Sequence, residues 1–268
     1  MEYAANGVRM GKNYSSAPKQ PAGSQRFAAV NPRVGGDYKA FIFFYVAILA
    51  LVAPVSMIYV FHMGGDRVLT AYGSFWAFDV AIYGMLLTPW LPLKSLSNHT
   101  RYDRLSLMVQ IWVITYCVVA ATFEVPWLLL HKEIAQAPHA MWSYTWMQYV
   151  DGGDKRYANP TTEVLFAETW ACLNALIASI ALINWYKSGK TSTGSVFALM
   201  FCAVMHISPT VFYYTNEIMN GFPNVDTHAA GNFWAKFILS NSCWLWMPFF
   251  LFYWCTRTLP RLYTGRES

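Results

Sequence analysis

TYCVVAATFEVPWLLLH, residues 115–131, decides how the rest of the chain is read. It is an apolar run with one carboxylate, Glu124, well inside it, and it reads as part of a membrane-spanning helix. An ionisable side chain at that depth costs free energy unless it faces protein and has a partner, which makes Glu124 a candidate functional group. The competing reading is an inter-helix hydrogen bond with no further role.

Working outward, the whole chain has the composition that such a run implies. Of 268 residues, 56% are hydrophobic and 18% aromatic, and only 12% are charged, against roughly 25% in a soluble domain. Apolar segments at 40–61, 69–93, 105–130, 162–186, 194–214 and 233–254 each approach the roughly 20 residues needed to cross a bilayer. The expected fold is all-α: a polytopic membrane bundle of about six transmembrane helices. Residues 1–37 read as a flexible, basic cytoplasmic tail, 38–103 as the first two helices, 104–257 as the main membrane domain and 258–268 as a short cytoplasmic tail. With the N-terminus in the cytoplasm, the connecting segments carry 14 Lys and Arg on the cytoplasmic side and 5 on the other, which suits six spans with both termini cytoplasmic. The +5 charge follows this topology and calls for no nucleic-acid partner. The five cysteines fall inside apolar runs and show no metal-binding or disulfide spacing, so they read as packing residues. No metal and no cofactor are expected.

Several polar groups accompany Glu124 in the apolar runs. Glu168 lies more than a turn inside the segment that opens NPTTE, while Asp79 and Glu217 lie in or near other spans, and Asp79 is left unplaced. His206 stands three residues before the helix-kinking Pro209. Asn241 and Trp244, three apart in SNSCWLWMP, share a helical face. Two acids, an imidazole, an amide and an indole are therefore candidates for one pocket. His206 and Asn241 also have plainer readings, as a satisfied polar group beside a kink and as inter-helix glue, and Trp244 has one as packing. His62, His99, His131, His139 and His228 fall at span ends or in loops and read as solvated.

The set has a chemical use. A carboxyl group removed from water holds its proton more firmly, so it can act as a general acid toward an alkene or epoxide. The resulting carbocation would be stabilised by a second carboxylate and by an indole face, because cation–π attraction grows when water is excluded. A base would then remove a proton from the other face of the substrate.

The stretch QYVDGGDKRYANPTTEVLFAETWACLNAL, residues 148–176, resembles the motif of the EXPERA family, which includes sterol Δ8-Δ7 isomerases and the sigma-2 receptor. DRLSL, FEVPW, FYYTNEIMNGF and NSCWLWMP resemble the family as well, so the likeness spans about 104–255. It implies an EXPERA-like membrane domain with Glu124 and Glu168 as ligand-facing acids, Asn241 as the amide and Trp244 as the cation-stabilising indole, and it points to Thr169 and Tyr213 as further substrate-binding residues. The family's isomerases carry a His one turn before the first acid, where this chain has Ala120, so His206 is the group expected to supply an imidazole.

The expected function is a membrane-embedded isomerase-like enzyme that acts on a sterol or terpenoid by protonation and carbocation stabilisation. Its expected catalytic residues are Glu124, Glu168 and His206, with Asn241, Trp244, Ala120, Thr169 and Tyr213 at the substrate. The alternatives are a non-catalytic sterol or amphiphilic-amine binding protein, and a terpenoid epoxide-opening or cyclising enzyme of the same fold. The expected partners are an apolar small-molecule ligand and membrane lipid, with a homodimer left open. The expected location is the endoplasmic reticulum membrane in a eukaryote or the inner membrane in a bacterium.

Overall fold

The computed structural model describes residues 34–264. Nearly all of the tail expected over 1–37, and the last four residues, lie outside this range. The described residues are all-helical, and each expected segment overlaps a helix, but length and apolarity do not reach the expected count of about six spans. Four helices are long and apolar enough to cross a membrane: α1 (Gly36–His62), α3 (Arg101–Gln136), α5 (Thr162–Lys187) and α6 (Thr193–Met219). Two more, α2 (Arg67–Leu87) and α7 (Ser240–Thr264), are of similar length but do not meet that measure. A short helix, α4 (Tyr144–Asp151), lies between α3 and α5.

The helices run past the expected ends where the sequence turns amphipathic rather than polar. The helix around residues 115–131 continues to Gln136, α6 continues to Met219 and α7 to Thr264. Caps fix the starts. Asp66 accepts from the Leu69 amide at the head of α2, and Thr100 forms a capping box with Asp103 at the head of α3. Arg104 then donates to the carbonyls of Pro89, Leu91 and Leu96, which holds the TPWLP turn against α3. Lone peptide carbonyls are costly in an apolar setting, and one guanidinium satisfies three.

Helix α6 packs between α5 and α7, while α3 packs on α5, α7 and α2. Their shared core includes Trp112, Tyr116, Val196, Leu199, Met247 and Trp254. Helix α1 differs, packing along α2 with only Tyr38 and Ser56 buried. Gly84 permits that approach, because a Cβ there would fall 2.3 Å from the Tyr45 ring. Phe43, Phe44, Leu51 and Val55 are left exposed, as suits a helix that is apolar all round. The five cysteines are free thiols, three of them buried. His99, expected to be solvated, is buried.

Two helices contain π turns, which are rare and concentrate at functional sites. In α3 the turn is Ala120–Glu124, closed by the Val125 amide donating to the Ala120 carbonyl. Pro126 explains its position, since it has no N–H to offer the Thr122 carbonyl four residues earlier. The second π turn, Phe233–Leu239, runs directly into α7. Side chains serve five consecutive carbonyls there. Ser240 donates to Ala235, Asn241 to Lys236 and Phe237, Tyr214 to Ile238, and Ser242 and Tyr83 to Leu239.

Candidate functional site

A cavity of about 610 Å³ opens among the helices, within the size range of small-molecule sites. Glu124, Glu168, His206, Asn241, Trp244 and Tyr213 all line it, so the structure brings together six of the eight residues singled out from sequence. The other two lie elsewhere. Thr169 is exposed and donates to the Leu165 carbonyl of its own helix. It comes directly after Glu168, and a step of one residue turns a helical side chain about 100° away. Ala120 is 2% exposed and packs in the core with Tyr116 rather than on the cavity.

The two acids have different surroundings. Glu168 Oε1 accepts from the Tyr157 hydroxyl at 2.9 Å. Glu124 ends the first π turn, and its Oε2 is buried without a hydrogen-bond partner. The two carboxyls interact electrostatically, and among the described residues no Lys or Arg lines the cavity. Near the acids, the walls include Phe123, Tyr149, Ala167 and Ala171.

An aromatic corner closes one end. The His206 ring meets Tyr116 edge-on at 4.6 Å and Trp112 at 5.3 Å, and Trp244 lies 6.0 Å from both Tyr116 and His206. The Asn174 amide nitrogen donates to the Cys202 carbonyl at 3.0 Å and stands 3.4 Å from His206 Nδ1. With the amide oriented by Cys202, Nδ1 is an acceptor, which leaves the Nε2–H as the group the imidazole offers. Asn241 spends its amide nitrogen on the backbone of the second π turn, so its carbonyl oxygen is the atom free for a ligand.

Behind the cavity lies a buried ion cluster. Asp154 accepts from Arg156 Nε and Nη2 at 2.9 and 2.8 Å, from the Tyr213 hydroxyl at 2.9 Å and from Lys236 Nζ. Glu217 pairs with Arg156 at 3.5 Å and accepts twice from Asn224. The Arg156 guanidinium sits 4.0 Å from the Tyr213 ring centre. Two acids and two cations, each no more than 1% exposed, balance. Burial would raise the Asp154 pKa, but Lys236 and Arg156 outweigh it and hold this loop carboxyl below the usual range. Lys236 Nζ lies 4.9 and 5.5 Å from the ring centres of Tyr149 and Tyr157, and those two rings, 4.1 Å apart, also line the cavity. They form the wall between cluster and cavity.

Sequence reasoning passed over Tyr149 and Tyr157, although both sit in the QYVDGGDKRYANP motif. Tyr157 precedes Glu168 by only 11 residues, with a helix start between them, and that short reach was the available signal. Asp79, unplaced from sequence, is buried on α2; Oδ1 accepts from Ser240 at 2.7 Å and Oδ2 has no partner. Among the described residues no group of His, Cys, Asp and Glu is placed to hold a metal ion. Comparison with protein-family models, curated proteins and solved structures finds no match to this chain.

Proposed function

We propose that the chain is a six-span membrane enzyme of EXPERA type, with both termini cytoplasmic, that shifts a double bond in a sterol or other terpenoid. A eukaryotic protein of this kind would sit in the endoplasmic reticulum and a bacterial one in the inner membrane. The reading is supported chiefly by two carboxyl groups facing one mainly apolar cavity with no cation among its lining residues. A neutralised pair would be architecture, whereas an un-neutralised pair in an apolar cavity is fitted to hold and transfer a proton. The route in suits a lipid-borne substrate. Val46 of α1 and Ile114 and Val118 of α3 line the cavity and are also exposed, so it reaches the apolar flank of the bundle.

The chemistry balances without a further reactant. One carboxyl gives its proton to an alkene carbon, leaving a carboxylate and a carbocation. The other carboxylate takes a proton from a neighbouring carbon, and the alkene re-forms one bond along. The Tyr157 hydroxyl, already donating to Glu168, suits Glu168 to the carboxylate role and Glu124 to the donor. Trp244 presents an indole to the cation, the Asn241 carbonyl orients the ligand, and His206 contributes a hydrogen-bond donor rather than a base.

Membranes holding the protein, supplied with a Δ8-sterol in deuterated water, are expected to yield the shifted alkene carrying deuterium. Absence of product from both sterols and linear terpenoids overturns the proposal. One observation favours a second reading, a non-catalytic site for amphiphilic amines: Ala120 leaves α3 without the imidazole of the sterol isomerases, and an ammonium would neutralise the same two acids. Saturable amine binding lost in Glu168→Gln, with no turnover by the intact protein, marks that case.

A further inference from the structure

The cavity has a second polar region, away from the aromatic corner, that the isomerisation does not use. Thr145, Gln148 and Tyr149 fall on one face of α4, at spacings of three and four, and all three line the cavity together with Ser74 of α2. Gln148 is 5% exposed and Ser74 9%. Ser74 makes no hydrogen bond among the described residues, although it is more than nine-tenths buried and faces the cavity.

The orientation of Gln148 is set by its neighbour. The Ser56 hydroxyl on α1 donates to the Val52 and Ala53 carbonyls at 2.5 and 3.0 Å, so its oxygen is left to accept. Gln148 Nε2 supplies that bond at 3.2 Å. The amide is thereby fixed with its nitrogen toward α1, and Oε1, which has no partner among the described residues, is an acceptor. An amide acceptor and an unpartnered hydroxyl that line the same mainly apolar cavity are left for a ligand or water to complete. An acceptor and a hydroxyl together match a group that both donates and accepts.

We propose that Gln148 and Ser74 form a subsite for a hydroxyl group on the ligand, so that the preferred substrate is a terpenoid or sterol alcohol. This rests on the reading of the cavity as a terpenoid site and adds the end of the molecule that does not react. The Phe75 ring on α2 packs edge-on against Tyr149 at 5.0 Å, and the Tyr149 ring adjoins both Phe123, beside Glu124, and Tyr157, which holds Glu168. The hydroxyl end is therefore one aromatic ring away from the acids, equipped by α4 and α2, with α1 orienting Gln148.

The test uses the full-length protein in lipid nanodiscs, with binding read from tryptophan fluorescence. The probes are two matched pairs: cholesterol with its 3-deoxy counterpart, and farnesol with the hydrocarbon lacking its hydroxyl. The intact protein is expected to prefer the alcohol of at least one pair by about tenfold, the worth of one good hydrogen bond. Gln148→Leu and, separately, Ser74→Ala are expected to bring that ratio toward one. The ratio is internal to each sample, so a partly misfolded variant does not imitate the effect. Equal affinity for alcohol and hydrocarbon, no binding of either pair, or a preference retained in both variants overturns the subsite. A preference lost in Glu168→Gln and kept in Gln148→Leu also overturns it, by placing the hydroxyl at the acids. No deuterium incorporation alongside a Gln148-dependent preference sinks the isomerase reading and leaves the subsite standing.

Discussion

Two pairs of acids lie on opposite sides of the Tyr149–Tyr157 wall, one buried and one facing the cavity, and they differ in what surrounds them. Asp154 and Glu217 are matched by Arg156 and Lys236, with Tyr213 and Asn224 filling further hydrogen bonds. Glu124 and Glu168 have no cation on their cavity, and one oxygen of Glu124 has no partner at all. The same residue type thus does two jobs. Where charge is cancelled, the carboxylates tie the loop around Asp154 to α6 and to the π turn that leads into α7. Where it is not, the fold holds a chemically open group that only a ligand completes.

The sharpest way to break this comparison is to remove one cation from the balanced side. Lys236→Met leaves two acids against a single guanidinium, and truncating a buried ion pair costs about 3–5 kcal/mol. A large drop in the detergent unfolding midpoint, or failure to accumulate folded protein, is the expected outcome. Unchanged stability would mean that the cluster is not structural. Glu124→Gln and Glu168→Gln should behave in the opposite way. Each keeps the shape and removes an ionisable group that has no cation on its cavity, so unfolding should move by less than about 1 kcal/mol, while turnover should fall about 10²-fold or more. A pair of variants that unfold as readily as Lys236→Met would erase the distinction.

Smaller effects sharpen it. Trp244→Leu should weaken binding of a cationic ligand by about 1–2 kcal/mol and leave that of a neutral isostere less affected, as a titration of both would show. Tyr157→Phe removes the donor to Glu168 and should cost roughly 1 kcal/mol in whichever function Glu168 serves, with the Asp154 side unaltered. Acid should weaken the balanced cluster. Asp154 has a lower pKa folded than the ordinary value of 3.8, so its contribution to stability is complete above that value. It is lost as pH falls from there toward the folded value. A plot of unfolding midpoint against pH should bend downward below about pH 4, and Asp154→Asn should flatten that bend.

Much of the fold was legible because membrane helices announce themselves through length and apolarity; the expected kink at Pro209 is not matched by a break, since α6 runs through it as continuous helix. Glu124, Glu168, Asn241 and Trp244 were legible as polar or aromatic groups at depths where chance seldom places them. The ion cluster was not, because Lys236 and Asp154 are 82 residues apart and nothing local to either announces the other. Helix ends were missed where HKEIAQ and its like continue a helix after apolarity has stopped. Thr169 failed for a local reason that was available: two neighbours on a helix do not face the same way. Gln148 was hidden inside WSYTWMQY, where one amide stands among four aromatic residues and nothing local sets it apart.

The two π turns make the site depend on chain length as much as on residue identity. Each holds one more residue than an α-helix would need over the same rise, Glu124 closing the first turn and Asn241 bonded back onto the second. Deleting a single residue from either turn would relax it to a regular helix, abolishing the wide turn that ends at Glu124 in one case and the carbonyls that hold Asn241 in the other. Insertions and deletions inside the apolar runs, usually dismissed as neutral slippage in lipid-facing sequence, are in this protein the changes that would switch the site off in one step.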